Sequence, residues 1–248
     1  MNCIYLLWLR QLKHYTRSRS RIFASLCQPL LILFILGFGV DPIFQRAGHG
    51  SYIQFLSPGV VAMAVLFTSF LSGLRLVMDR QFGFLKETMV APVSRISIIL
   101  GRTFGGATVA VAQGLITIVA CLVAGFRPVS IQSLPLILVL LFLIALLFTA
   151  LGTAIASTLS DLQTVQLLMN YVVAPVSFLS GAYYPLGDLP ILLEWLAKLD
   201  PLSYGVDALR GALIGNYCFG ALTDVAVLSI STLSLVGIAS YLFSRIQL

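Results

Sequence analysis

Six apolar blocks constrain this chain more than any other feature. They cover about 22–40, 55–78, 101–126, 134–157, 165–182 and 222–244. A run of about 20 predominantly apolar residues spans the hydrocarbon core of a bilayer as a helix. Backbone groups in lipid must bond internally, so the spanning solutions are helices or closed barrels. A barrel strand would alternate apolar and polar residues, yet the run from Leu134 to Ile144, LPLILVLLFLI, is apolar on every side. The expected class is therefore an all-α integral membrane protein with six transmembrane helices in a single domain, 1–248. Composition agrees: 10% of residues are charged and 59% hydrophobic, against about 25% charged in a soluble domain.

The net charge is +6, and its placement carries the information. Six crossings put both termini on one side. That side then holds eleven Lys/Arg, including Arg10, Arg80, Lys86, Arg95 and Arg102, and the other side holds four: Arg46, Arg127, Lys198 and Arg210. The bias predicts cytosolic termini in a multi-pass protein of the plasma or inner membrane. It reads as membrane orientation rather than nucleic-acid binding. Residues 1–21 precede the first span as an amphipathic interface helix. Ile4, Trp8, Leu12 and Tyr15 form one stripe, with Trp8 and Tyr15 expected at headgroup depth, and Arg10, Lys13, Arg17 and Arg21 form the other. The basic residues and the long first span favour a retained segment over a cleaved signal peptide.

Enzyme chemistry finds no foothold. His14 and His49 fall on opposite sides of the membrane, and none of Lys13, Lys86 and Lys198 follows a glycine, so no phosphate-binding loop exists. Cys3, Cys27, Cys121 and Cys218 have neither metal nor redox spacing. No metal site and no bound cofactor are expected. The spans also lack the mid-membrane Asp, Glu or His that mark ion-coupled carriers. What remains is a permease driven from elsewhere, or a membrane assembly factor that moves nothing.

Three polar features offer candidates. Gly101, Gly105, Gly106 and Gly114 place small residues along the third span, for packing within the chain or against a second copy. Gln163, Gln166, Asn170 and Ser177 share a helical face in the fifth span, with Pro175 among them. That face serves either helix–helix hydrogen bonds or a substrate path. Tyr183 and Tyr184 extend the substrate-path set, and with Trp195 they offer rings on which a sugar would stack. Beyond them, Pro185, Pro190 and Pro201 punctuate an outer segment, 183–215, too apolar for an aqueous loop. It is expected to hold two short re-entrant helices, Ile191–Leu199 and Ser203–Ile214.

The third feature is the charged segment 79–95, DRQFGFLKETMVAPVSR, between the second and third spans. It is either a solvated loop that holds topology or a docking site for a motor. In the second case Phe82, Phe84 and Leu85 would fill a groove on the partner, Arg80, Lys86, Glu87 and Arg95 would orient it, and Pro92 would end a short helix.

The stretch Phe84–Arg95, followed by Leu100-Gly-Arg102, resembles the cytosolic signature of type-2 ABC-transporter permeases. Tyr52–Gly59 (YIQFLSPG) is similar to the family's approach to its second span. Tyr184-Pro-Leu186, Leu189-Pro190, Asp200-Pro-Leu-Ser-Tyr204 and Asp207-Ala-Leu-Arg210 resemble its second signature. The likeness is greatest to the daunorubicin-resistance-like drug and lipid export branch, although Gly83-Phe84 stands where many members have Gly-Thr. The resemblance implies six spans with an interface helix, a cytosolic coupling helix at 79–95 and outer re-entrant helices. It also implies two permease chains, expected to be a homodimer, working with two copies of a separate ABC ATPase subunit that binds ATP and Mg. The expected activity is export of a hydrophobic or amphipathic substrate, with a lipid-linked glycan as the alternative.

Overall fold

The computed structural model describes residues 3–17, 19–46, 50–84, 94–129, 133–159, 161–188 and 190–245. Among them every regular element is helical. The amphipathic α1 (Cys3–Arg17) leads into α2 (Arg19–Arg46), α3 (Tyr52–Gln81), α4 (Arg95–Val123) and α5 (Leu134–Thr158). A broken segment follows, made of α6 (Leu162–Leu168), a π-helical turn (Met169–Val173) and α7 (Ala174–Leu179). After a 3₁₀ turn (Leu186–Asp188) come α8 (Ile191–Leu199), α9 (Pro201–Ile214) and α10 (Ala221–Ser244).

Five of these are long and apolar enough to cross a membrane: α2 from Ser25, α3, α4, α5 and α10. The fifth apolar block of the sequence departs from a regular α-helix, and Pro175 supplies the reason. Proline has no N–H to give the carbonyl four residues back, and its ring clashes with that carbonyl. Here that carbonyl belongs to Tyr171, inside the π turn, and widening the helix there makes room for the ring. The extra residue turns everything after it by about 100° relative to what precedes it. Gln166 and Asn170 are therefore exposed while Ser177 is buried, its hydroxyl bonded back to Val173 O at 2.8 Å.

Helix α3 lies at the centre, packed by α2, α4, α5 and α9. Its crossing with α5 depends on two glycines. A Cβ on Gly73 would sit 2.5 Å from Thr149 O, and one on Gly152 2.5 Å from Phe70 O. Backbone meets backbone there, so no side chain can be admitted. Gly106 and Gly114 of α4 serve the same bundle, facing Thr149 and Val65. By contrast α2 and α10 turn Leu31, Phe34, Ile35, Ile230 and Leu233 outward. A largely apolar exterior of this kind belongs in lipid.

Helix α1 packs along α4. It runs parallel to α4, with Ile4 against Gly101 and Gln11 against Gly105. Further along, Trp8 Nε1 donates to Thr108 Oγ1 at 3.1 Å, and Tyr15, only 6% exposed, donates to Gln113 Oε1 at 2.6 Å. Both aromatic rings thus turn toward α4 instead of away from the bundle. Gly101 and Gly105 offer the flat strip that allows this approach.

Candidate functional site

The α1 end of the bundle gathers the charged segment's flanks. Helix α3 runs to Gln81, then Gly83 takes a left-handed φ of 80° that lets the chain turn sharply. The turn leaves Phe82 69% exposed and Phe84 47% exposed. Behind them, the carboxylate of Asp79 accepts from two guanidinium groups, Arg10 of α1 at 3.4 Å and Arg102 of α4. Arg10 also lies 5.4 Å from the centroid of the Phe84 ring, within cation–π range. One acid therefore ties together three helices and braces one of the two exposed aromatics.

The flanks reach further. Arg80 Nη1 donates to Leu159 O at 3.3 Å, at the end of α5, and Arg95 donates to Ser244 O at the end of α10. Ser94 caps α4, its Oγ accepting from Ser97 N at 3.2 Å. The two flanks of the segment are thus bonded to different spans, Arg80 to the end of α5 and Arg95 to the end of α10. Leu85, Lys86, Glu87 and Pro92 lie outside the described residues.

The sequence profile of the ABC-2 type transporter family matches residues 2–214, from α1 through α9. The chain belongs to the ABC-2 type transporter family. It is similar to the transport permease ycf38 of Porphyra purpurea, with 32% identity over 197 residues covering 78% of this chain and 68% of that protein. Nodulation protein J of Rhizobium leguminosarum bv. trifolii is 29% identical over 201 residues, covering 79% and 75%. The inner membrane transport permease YadH of Escherichia coli (strain K12) is 27% identical over 215 residues, covering 84% and 82%. The molecule is therefore an ABC-2 permease, a multi-pass membrane subunit of a family that works with an ABC ATPase subunit.

The permease is built differently at its other end. Asp207 of α9, 2% exposed, accepts from the backbone N–H groups of Cys218 and Phe219, each at 2.8 Å. Arg210, one turn on, donates to Gly181 O at 3.0 Å and lies 4.0 Å from the centroid of the Phe55 ring. Burial pulls this guanidinium down to about 10, with Asp207 opposing the shift. Asp200 caps α9 by accepting from Leu202 N at 2.9 Å, and burial pushes its carboxyl up to about 7. Asp224 of α10 is fully buried nearby.

The candidate path residues do not form one surface. Gln166 and Asn170 are exposed, Ser177 is buried, and Tyr183 and Tyr184 sit at the far end half-buried. There the Tyr183 carbonyl accepts from Tyr52 Oη at 2.7 Å, and the Tyr184 hydroxyl donates to Phe178 O. Sequence reasoning placed Arg210 on the outer side and quoted Asp207-Ala-Leu-Arg210 only as part of a signature, without singling out Asp207, Arg210 and Asp224 as one buried set. The signal was present in Asp207-Ala-Leu-Arg210, an opposite-charge pair at i, i+3 within an apolar helix.

Proposed function

We propose that this permease forms the membrane path of an ATP-driven exporter, moving a hydrophobic or amphipathic substrate, a drug or a lipid, out of the cytosol. In this reading the α1 end faces the cytosol. Two copies of the chain, in the plasma or inner membrane, work with two separate ATPase subunits that carry ATP and Mg. The observation that carries it is the pair of exposed rings, Phe82 and Phe84, just beyond the end of the central helix, the second of them braced by the Arg10–Asp79 pair.

Energetics indicate what such a handle must do. Moving a two-state equilibrium from 1:99 to 99:1 takes about 5.5 kcal/mol of differential binding. A surface ion pair supplies about 0–1 kcal/mol, so Glu87 alone is too weak. Burial of a large apolar side chain supplies about 1.5–3 kcal/mol, so Phe82, Phe84 and Leu85 together would supply most of what is required. ATP-driven closure of the ATPase pair would press on these residues, and the braces at Arg80, Asp79 and Arg95 would pass the movement to the spans.

The test is the double variant Phe82→Ala/Leu85→Ala in the reconstituted complex. ATP hydrolysis should persist while substrate moved per ATP falls at least about tenfold, with the permease's thermal stability unchanged. Undiminished transport would refute the handle. A lipid-linked glycan is the second reading, favoured by Trp195 of α8, whose ring is 63% exposed at the end opposite α1. Stimulation of ATP hydrolysis by a glycolipid but by no drug or phospholipid would select it.

A further inference from the structure

Two buried acids meet at the α9 end. Asp224 stands in the first turn of α10 and is fully buried, and neither of its carboxyl oxygens has a hydrogen-bond partner. Its side chain lies within hydrogen-bonding reach of Asp207. The course of the chain brings them together. Asp207 holds the N–H groups of Cys218 and Phe219, and Gly220, with a φ of 103°, turns the backbone from there directly into α10. A helix N-terminus favours an anion, yet no N–H of α10 reaches either oxygen of Asp224. The other ionisable groups around it are engaged elsewhere. Arg210 gives Nη2 to Gly181 O and lays its face on the Phe55 ring. Tyr204 of α9 gives its hydroxyl to Lys198 O at 2.9 Å, and Glu194 of α8 pairs with Lys198 at 2.7 Å. Cys218 is exposed. Of the other spans packed on α10, α5 carries no ionisable side chain, and α4 brings only Cys121 at this end.

We infer that Asp224 is held as a neutral acid whose O–H donates to the Asp207 carboxylate, so that a bound proton fastens α10 to α9. Two ionised carboxylates are both acceptors, and their meeting would satisfy neither. It would also set two like charges together in low dielectric, where touching carboxyl groups share one proton instead. The proton belongs on Asp224, because the oxygens of Asp207 already accept from backbone N–H groups. Charge then closes. With one proton the buried set Asp207, Asp224 and Arg210 is neutral, and without it one uncompensated negative charge stays buried. An O–H donor on a carboxylate makes one of the stronger hydrogen bonds available to a protein. The seam between α9 and α10 therefore answers to pH at this end of the molecule: withdrawing the proton sets carboxylate against carboxylate and loosens the two helices.

The test uses the full chain in detergent and requires neither transport nor an ATPase, so its failure would leave the proposed function standing. Asp200→Asn is the starting protein, because it removes the other buried acid of this end. Its infrared spectrum at pH 7 should show a carboxylic-acid C=O band that moves down in D2O. Adding Asp224→Asn, whose amide can still donate to Asp207, should abolish that band. The folded chain keeps a proton that an unfolded chain releases near the free Asp value of about 3.9, so stability should fall as pH rises. Above about pH 5 the unfolding constant of the starting protein should grow by up to about tenfold per pH unit until the band vanishes. With Asp224→Asn added, the same constant should change less than about twofold per unit. Should Asp224→Asn fail to fold, Asp224→Glu serves instead: it keeps an acid at this position and should shift the band without removing it. Absence of the band at pH 7, a band untouched by either substitution, or equal pH dependence with and without Asp224→Asn overturns the inference.

Discussion

The two ends of the bundle handle polar groups in opposite ways. At the α9 end, Asp207 and Arg210 are buried and bonded to fixed backbone: the N–H groups of Cys218 and Phe219, and the carbonyl of Gly181. At the α1 end, Arg10 is about half exposed, Asp79 is shared between two partners, and Phe82 projects outward. A buried charge bonded to backbone resists movement, because leaving its partner strands it in low dielectric. A half-exposed ion pair exchanges partners at little cost. One end is thus clamped, and the other is loosely tied and, in the proposed function, the end a motor would grasp.

Variants sharpen the contrast in order of effect. Asp207→Ala orphans two backbone donors and unbalances Arg210, so it should destabilise the permease by about 3 kcal/mol or more, read as lost monodisperse protein on thermal challenge. Gly73→Ala should cost about 1–3 kcal/mol, because its Cβ meets the backbone of α5 at 2.5 Å. Gly101→Ala meets α1 at 3.0 Å, a milder approach than at Gly73, so the loss should be smaller and read as protease sensitivity near Trp8. Arg10→Gln, at a half-exposed pair, should change stability by less than about 1 kcal/mol. If Arg10→Gln proved as damaging as Asp207→Ala, the difference between the ends would vanish.

The sequence made the spans easy to find, because lipid demands long apolar runs and little else satisfies the backbone there. The paired helices Ile191–Leu199 and Pro201–Ile214 were equally open to reading, since Pro190 and Pro201 punctuate them. Packing was less legible. A strip of glycines announces a close approach without naming the visitor, so Gly101 and Gly105 fitted a second chain as well as α1. The π turn was hidden for a related reason: Pro175 foretells a disturbance, but whether a helix kinks, breaks or widens depends on its neighbours. That local choice decides that Ser177 turns inward while Asn170 stays out. The burial of Arg210 was missed because the positive-inside count treats every arginine as a surface charge, whereas Phe55, far away in sequence, supplies a ring for it to cover.

The account rests on the graspable end facing the cytosol, and sidedness of labelling tests that most directly. Cys218, exposed at the clamped end, is kept; Cys3, Cys27 and Cys121 become serine, and Phe82→Cys is added. In sealed right-side-out vesicles, a membrane-impermeant maleimide should modify Cys218 at once and the cysteine at position 82 only after permeabilisation. Modification at position 82 from outside, with Cys218 protected, would contradict the account.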